Sequence, residues 1–236
     1  GFQEMEQMRM FADCVAYQEE VRDPTRVAEV LNRVIMNAKR ASAPAQLNIP
    51  RDMWTQVIDI ELPAIVEFER PSGGEAAVAE AAALLSQAKN PVILNGAGVV
   101  LSKGGIAASK ELAERLTAPV CVGYQHNDAF PGSHPLFAGP LGYNGSKAAM
   151  ELIKAADVVL CLGTRLNPFS TLPGYGMEYW PTDAKIIQVD INPDRIGLTK
   201  TVTVGIIGDA AKVAQGILGQ LSDTAGDAGR EERKFT

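Results

Sequence analysis

Two glycine-rich turns are the first features of this sequence that could do chemistry. Gly96 and Gly98 follow an apolar run at 92–94, and Gly139 and Gly142 lie in the stretch GPLGYNGSK at 139–147. Glycine lets backbone N–H groups come close to a phosphate, so both turns could hold a nucleotide. Each turn also has a structural explanation. The first lacks the third glycine of a dinucleotide-binding motif, and in the second Ser146 could simply cap the next helix.

Polar residues follow two further apolar runs. Gly163, Thr164 and Arg165 come after the run at 158–162, and Asp190 and Ile191 come at the end of the run that starts at 185. An arginine placed there can bind a phosphate through two parallel hydrogen bonds, and an acid can accept from ribose hydroxyls or an adenine amine. The alternatives are a surface or interface arginine and a turn aspartate.

Residues of a catalytic type are sparse. His126 and His134 have no carboxylate or thiol at a spacing that forms a known catalytic pair, and no metal-ligand cluster stands out. We expect both histidines to be structural or solvated, and Glu19 and Glu20 to lie on the surface of a helix or loop. The residues taken alone therefore predict a nucleotide-binding α/β module and no particular reaction.

Continuous apolar strands alternate with helices in the larger part of the chain. This pattern predicts a parallel sheet covered on both faces, and so a three-layer Rossmann-like α/β domain over 74–222. Five strands are readable from residue 91 onward, and a sixth is expected in the loop before residue 145. A helix at 24–40 and a strand at 45–49 indicate the end of an earlier α/β unit within 1–52. The segments 53–73 and 223–236 are predicted to be a linker and a tail.

Composition excludes several classes of protein. The 236 residues carry a net charge of -6 and show no basic patch, which argues against a nucleic-acid partner. No apolar run is long enough to span a membrane. The three cysteines have no CxxC spacing, so we expect reduced, buried thiols in a cytoplasmic protein. The start at Gly1 reads as the middle of a longer protein.

The order of motifs resembles the thiamine diphosphate enzymes of the acetohydroxyacid synthase type. FQE at 2–4 is followed by a helix and by IPRD at 49–52, and the four glycine or acidic loops then come in the family's order. The resemblance implies that 1–52 ends a pyrimidine-binding domain and that 74–222 is the central domain. It also implies that Phe2 and Gln3 lie near the cofactor.

The same resemblance implies thiamine diphosphate and Mg²⁺ as cofactors of a homo-oligomeric parent enzyme. The family's activating glutamate and its GDG…N motif are not found in this sequence, so the segment alone is expected to be inactive. The flavin-type acidic pair after Arg165 is also missing. Whether the central domain binds FAD, ADP or nothing, and mainly packs the oligomer, therefore stays open.

Long strings resemble one branch of this family, among them VGYQHNDAFPGSHPLFAGPLGYNG and GTRLNPFSTLPGYGMEYWP. This resemblance implies a parent enzyme that converts sulfoacetaldehyde and phosphate into acetyl phosphate and sulfite. Two other interpretations fit the same motifs: the FAD-binding central segment of an acetohydroxyacid synthase-like enzyme, and a non-catalytic nucleotide-binding or assembly module.

Overall fold

The computed structural model describes residues 4–64 and 67–230. These fall into two compact units that divide between Phe68 and Glu69. The first unit contains α1 (Gln7–Met10), β1 (Tyr17–Glu20), α2 (Val27–Ala41) and β2 (Ala45–Asn48). β1 and β2 pair in parallel. Glu19 and Glu20 lie in β1, so their prediction as helix or loop surface was wrong.

Helix α2 covers the small sheet of the first unit. Asp23 accepts a hydrogen bond from the Thr25 N–H at 2.9 Å, and Pro24 opens a 3-10 turn, so the regular helix starts three residues later than the sequence suggests. Val30 and Val34 on one side of α2 are buried together with Val21, and the strands pack against them. These three valines are the fully buried members of the core of this unit.

The second unit is a doubly wound α/β domain. Its strands are β3 (Pro91–Asn95), β4 (Val120–Gly123), β5 (Phe137–Leu141), β6 (Val158–Leu162), β7 (Lys185–Asp190) and β8 (Val204–Ile207). Its helices are α3 (Glu75–Gln87), α4 (Ala97–Leu101), α5 (Gly105–Leu116), α6 (Lys147–Lys154) and α7 (Ala210–Leu218). All neighbouring strands are parallel, in the order β5-β4-β3-β6-β7-β8. The sixth strand expected before residue 145 is β5.

The sheet buries both of its faces, as the continuous apolar strands predict. Ile93 of β3 joins a core with α3, α5 and α7, whereas its neighbours Val92 and Leu94 join a second core with α6. The three-layer Rossmann-like fold is thereby confirmed. The strand order reverses between β3 and β6, and ligands of such folds bind at the carboxyl ends of the strands beside that point.

The segments before α3 and after α7 form hydrogen bonds and an ion pair with the sheet domain. The N–H of Asp209 donates to the Pro71 carbonyl at 2.8 Å, and Arg70 lies 3.1 Å from the Asp209 carboxylate. At the other end, Arg115 donates to the carbonyls of Ser222, Asp223 and Ala225 at 2.6–2.9 Å. Residues 69–73 and 222–226 therefore have fixed positions on the second unit.

The cysteines differ in exposure. Cys121 and Cys161 are buried on β4 and β6, but Cys14 is exposed, so the prediction that all thiols are buried was wrong for Cys14. Burial raises the pKa of the Cys121 thiol to about 12 and raises that of Cys161 as well. Within the described ranges, no helix combines the length and the apolar composition needed to cross a bilayer.

Candidate functional site

The turns after β3 and β6 touch each other where the strand order reverses. The N–H of Gly98 donates to the Gly163 carbonyl at 2.8 Å, and the N–H of Gly96 donates to the Leu162 carbonyl at 3.0 Å. A Cβ added to Gly98 would lie 2.6 Å from Gly163 Cα, and one added to Gly96 would lie 2.5 Å from Thr164 Cβ. The glycines bring these two turns into backbone contact, and both N–H groups are occupied within the chain.

The glycines after β5 serve two separate contacts. Gly142 has φ +93°, and a Cβ there would lie 2.0 Å from the Phe169 carbonyl oxygen. Gly139 has φ +105°, and its nearest neighbour would be the side chain of Ser146. Ser146 accepts from the Ala149 N–H at 3.4 Å and caps α6, which was the structural alternative for this stretch. The structure thus places Gly142 against the β6–β7 loop and Gly139 against a helix cap.

Arg165 lies in a turn with an unusual backbone. Gly163 and Leu166 both have positive φ, +61° and +54°, and the Leu166 side chain is 0% exposed. The Thr164 hydroxyl accepts from the Leu166 N–H at 3.2 Å. Left-handed backbone costs a non-glycine residue energy, so burial of Leu166 and this hydrogen bond must hold the turn in place. Arg165, between Gly163 and Leu166, is exposed.

Gln188 joins the loops that follow β6 and β7. It lies in β7 with 1% exposure, and its Nε2 donates to the carbonyls of Thr164 at 3.1 Å and Arg195 at 3.0 Å. Its Oε1 accepts from the Gly197 N–H at 2.8 Å. The sequence interpretation missed Gln188. A single amide within the apolar run KIIQVD was the available signal, because a buried amide must find hydrogen-bond partners.

Asp190 ends β7 in a half-buried position next to Ile191, which is also half-buried. One carboxylate oxygen accepts from the Asn192 N–H at 2.9 Å, as the turn-aspartate alternative predicts. Burial raises the pKa of the Asp190 carboxyl, while the Asn192 N–H and the charges of Arg195 and Arg165 act in the opposite direction. The Asn192 contact gives Asp190 a structural role in the turn that follows β7.

The remaining candidates have structural roles or fall outside the described residues. His134 lies 3.1 Å from Glu114 and accepts from the Leu136 N–H, and His126 lies 3.9 Å from Asp128. No group of three or more His, Cys, Asp or Glu side chains suited to a metal ion occurs in residues 4–64 and 67–230. The predicted cofactor-proximal residues Phe2 and Gln3 lie outside the described residues.

Comparison with known proteins decides the family. The family described as "Thiamine pyrophosphate enzyme, central domain" matches residues 78–217. The chain belongs to the thiamine pyrophosphate enzymes. The matched residues run from the first turn of α3 to the last turn of α7, so the six-stranded unit is the central domain of this family.

Several curated proteins that resemble this chain are named sulfoacetaldehyde acetyltransferase. That of Roseovarius nubinhibens is 78% identical over 236 residues, which is 100% of this chain and 39% of the relative. That of Castellaniella defragrans is 49% identical over 99% of this chain and 39% of the relative. A probable acetolactate synthase large subunit of Methanocaldococcus jannaschii is 31% identical over 94% of this chain and 38% of the relative.

A solved structure confirms the fold. Benzoylformate decarboxylase from Polynucleobacter necessarius matches with a TM-score of 0.75 and 22% identity, over 94% of this chain and 42% of that chain. At this identity the likeness concerns the fold alone. The chain spans 39% of the length of the first curated relatives it matches.

Proposed function

We propose that this chain is the central part of a sulfoacetaldehyde acetyltransferase that uses thiamine diphosphate and Mg²⁺. The enzyme converts sulfoacetaldehyde and phosphate into acetyl phosphate and sulfite, a step in the breakdown of taurine and other sulfonates. The observation that carries the proposal is 78% identity to a protein of that name along the full 236 residues. The parent enzyme is expected to be a cytoplasmic homo-oligomer.

The proposed reaction needs no external oxidant or reductant. The aldehyde C–H bond breaks with loss of a proton, the C–S bond breaks and sulfite leaves with its electron pair, a proton is added to the neighbouring CH₂, and a bond forms between a phosphate oxygen and the former aldehyde carbon. That carbon rises to the acyl oxidation level, and the neighbouring CH₂ becomes CH₃. Thiamine diphosphate, when bound, stabilises negative charge on the former carbonyl carbon. A flavin is therefore not required by the chemistry, and any nucleotide in the central domain would have another role.

We expect the main binding motifs for thiamine diphosphate and Mg²⁺ to lie in the parent enzyme outside this chain. The nearest sequence to the family's GDG…N motif is Gly208-Asp209-Ala210, but Asp209 accepts from the N–H groups of Ala211 and Lys212 and caps α7. We therefore expect this chain to be inactive alone. Its part in the parent is to supply the central domain, with Phe2 and Gln3 near the cofactor.

The domain boundaries follow from the same proposal. Residues 1–52 would close the pyrimidine-binding domain, 53–73 would link it to the central domain at 74–222, and 223–236 would lead onward. The nucleotide pocket formed by Gly96, Gly98, Gly139, Gly142, Gly163, Thr164, Arg165, Asp190 and Ile191 stays a prediction, with FAD and ADP as candidate ligands. Calorimetry of the chain with FAD and with ADP tests it, and no heat with either would favour a role in packing the oligomer.

Phosphate-dependent sulfite release is the experiment that tests the proposed activity. The longer enzyme that contains this chain would be supplied with thiamine diphosphate, Mg²⁺ and sulfoacetaldehyde, with and without phosphate. We expect sulfite and acetyl phosphate in equal amounts, only when phosphate and cofactor are both present. The 236-residue chain assayed alone should release none. Acetolactate formation from pyruvate without sulfite release would favour the acetohydroxyacid synthase alternative.

A further inference from the structure

An asparagine in the loop after β5 is followed directly by glycine. Asn144 and Gly145 form this pair, and Asn95 and Gly96 form the other Asn-Gly pair of the sequence, since every other asparagine precedes a residue that carries a side chain. Glycine has no Cβ to hinder contact between its own nitrogen and the side chain of the preceding asparagine. An Asn-Gly pair can therefore close a succinimide ring and lose ammonia, wherever the fold permits it.

The side chain of Asn144 is free to react. It is exposed, and it forms no hydrogen bond within the described part of the chain. The backbone on either side is held by other loops. The Tyr143 N–H donates to the Phe169 carbonyl at 3.0 Å, and the Ser146 N–H donates to the Pro140 carbonyl at 2.7 Å. The side-chain amide of Asn144 can therefore rotate while the chain on both sides of it stays in place.

Asn95 has the same neighbour in sequence but the opposite environment. It is 0% exposed, and its Nδ2 donates to the Ser109 hydroxyl at 2.8 Å and to the Ala129 carbonyl at 3.0 Å. Its Oδ1 accepts from the Ser109 hydroxyl at 3.0 Å. The Gly96 N–H donates to the Leu162 carbonyl at 3.0 Å. These bonds hold the amide and the attacking nitrogen apart, and burial keeps water away, so the fold blocks ring closure at Asn95.

The nitrogen that would attack Asn144 belongs to a tight turn. The Gly145 N–H donates to the Gly142 carbonyl at 2.8 Å, which closes a four-residue β-turn. The Tyr175 hydroxyl donates to the Gly145 carbonyl at 3.1 Å. The first bond must break before the nitrogen can lose its proton and reach the side-chain carbon, and the second bond keeps Gly145 in the turn. The rate of ring closure therefore depends on local opening of this turn.

We infer that Asn144 is a site of spontaneous deamidation and that Tyr175 restrains the reaction. The Gly145 nitrogen forms a bond to the side-chain carbonyl carbon of Asn144, and the bond from that carbon to the amide nitrogen breaks. The amide nitrogen leaves as ammonia, with the proton that the Gly145 nitrogen gave up. Water then opens the succinimide at either of its carbonyl carbons and leaves aspartate or isoaspartate at this position. The reaction needs no oxidant, reductant or cofactor.

Both products change the loop that carries Gly142. Each adds one carboxylate, which takes the net charge of the chain from -6 to -7. Isoaspartate also places an extra methylene in the main chain just before Gly145, inside the turn that the Gly145 N–H closes. This product cannot keep the hydrogen bond to Gly142 in its present geometry, so the loop changes shape as the chain ages. The modification is independent of the proposed function, because it requires neither thiamine diphosphate nor sulfoacetaldehyde.

Peptide mapping by mass spectrometry tests the site in the 236-residue chain, sampled over time in mildly alkaline buffer. We expect Asn144 to exchange its amide NH₂ for OH, with part of the product labelled by an isoaspartyl methyltransferase, and Asn95 to stay unchanged. In chain unfolded with guanidinium chloride both asparagines should react, because the fold no longer protects Asn95. Equal conversion of the two in the folded chain, or no conversion of Asn144 there while the unfolded chain reacts to completion, would overturn the inference.

Two tyrosine variants test the restraint. Tyr175→Phe removes the hydroxyl that binds Gly145 and should speed the deamidation of Asn144 about fivefold, which corresponds to about 1 kcal/mol, the usual contribution of one hydrogen bond. Tyr124→Phe is the matched control, because among the residues that the structure describes its hydroxyl forms no hydrogen bond, and the rate should stay unchanged. Melting curves confirm that each variant is folded. An unchanged rate in Tyr175→Phe, or an equal acceleration in Tyr124→Phe, would contradict the role of Tyr175.

Discussion

Gly98 and Gly163 are joined backbone to backbone at the reversal of the strand order, with the Gly98 N–H 2.8 Å from the Gly163 carbonyl oxygen. The turn after the first strand of the domain and the turn after its fourth strand are thereby held against each other. A side chain on either glycine would meet backbone atoms, which cannot move aside as a flexible side chain can.

Replacing Gly98 with alanine should therefore destabilise the chain. The added Cβ would lie 2.6 Å from Gly163 Cα, and we expect a loss of about 2 kcal/mol or more, since overpacking forces backbone shifts. Thermal unfolding followed by circular dichroism measures the effect. Gly74→Ala is the matched control, because nothing lies within 4 Å of a Cβ there. Equal melting temperatures for the two variants would contradict the packing described.

Gln188→Leu should destabilise the loops after β6 and β7. The substitution leaves the carbonyls of Thr164 and Arg195 and the N–H of Gly197 without their side-chain partner. A buried polar group left unpaired costs about 1–3 kcal/mol, so the free energy of unfolding in urea should fall by at least that amount. Exchange of the Gly197 amide proton should also become faster. The exposed Gln220→Leu serves as control, and unchanged exchange at Gly197 would count against the role of Gln188.

The strands of the sheet domain were predictable from the sequence where both of their faces are buried. β3, β6 and β7 read as strands because they are buried on both faces, and their helices follow from apolar periodicity. β5 has the sequence FAGPL and lies at the edge of the sheet. Because glycine and proline are uncommon inside strands, the sequence of β5 does not identify it clearly as a strand. β1 is YQEE, half-exposed and polar, and its pairing with β2 could not be inferred from local pattern.

The loops at the strand ends were predictable from the sequence, but the contacts between them were not. The loops at strand ends were found because apolar runs stop at glycine or aspartate. Gln188 and Arg195 were missed, because their roles depend on which loops the fold brings together, and neither belongs to a motif of fixed spacing. The left-handed backbone of Leu166 was equally hidden, since leucine rarely adopts it and only tertiary burial maintains it.

The first unit should lose stability in acid through Glu19 and Glu29. Hydrogen bonds from Arg33 and Tyr17 hold the pKa of Glu19 at about 2, and those from Arg26 and Arg33 hold that of Glu29 at about 2. Because these pKa values are lowered in the folded state, the stability they add is complete above about pH 4.5 and is lost as the pH falls towards 2.

Substitution of Arg33 tests this acid dependence. In Arg33→Gln the pKa of Glu19, followed by NMR of its side-chain carboxyl, should rise towards its ordinary value, and the loss of stability between pH 4.5 and 2 should become smaller. Arg51→Gln removes the same charge from an exposed position of the same unit and should leave the Glu19 titration unchanged. A Glu19 pKa that stays at about 2 in Arg33→Gln would refute the assignment.

Thiol labelling should separate the three cysteines. In native buffer a chromogenic disulfide reagent should modify Cys14 only, because Cys121 and Cys161 are buried and burial raises the pKa of their thiols. Two more thiols per chain should react after denaturation. Cys14→Ser should abolish the fast reaction in native buffer, and a fast reaction that persists in this variant would show that β4 or β6 opens to solvent.

The place of β3 in the sheet has a consequence for synthesis on the ribosome. β3 is the first strand of its domain to be made, yet it lies in the interior of the sheet between β4 and β6. Its pairing with β4 becomes available early, whereas its other edge waits for residues 158–162, which emerge much later. During that interval an apolar strand with open hydrogen-bonding groups is a template for aggregation. The nascent chain is thus most in need of chaperone protection between the emergence of β4 and the arrival of β6.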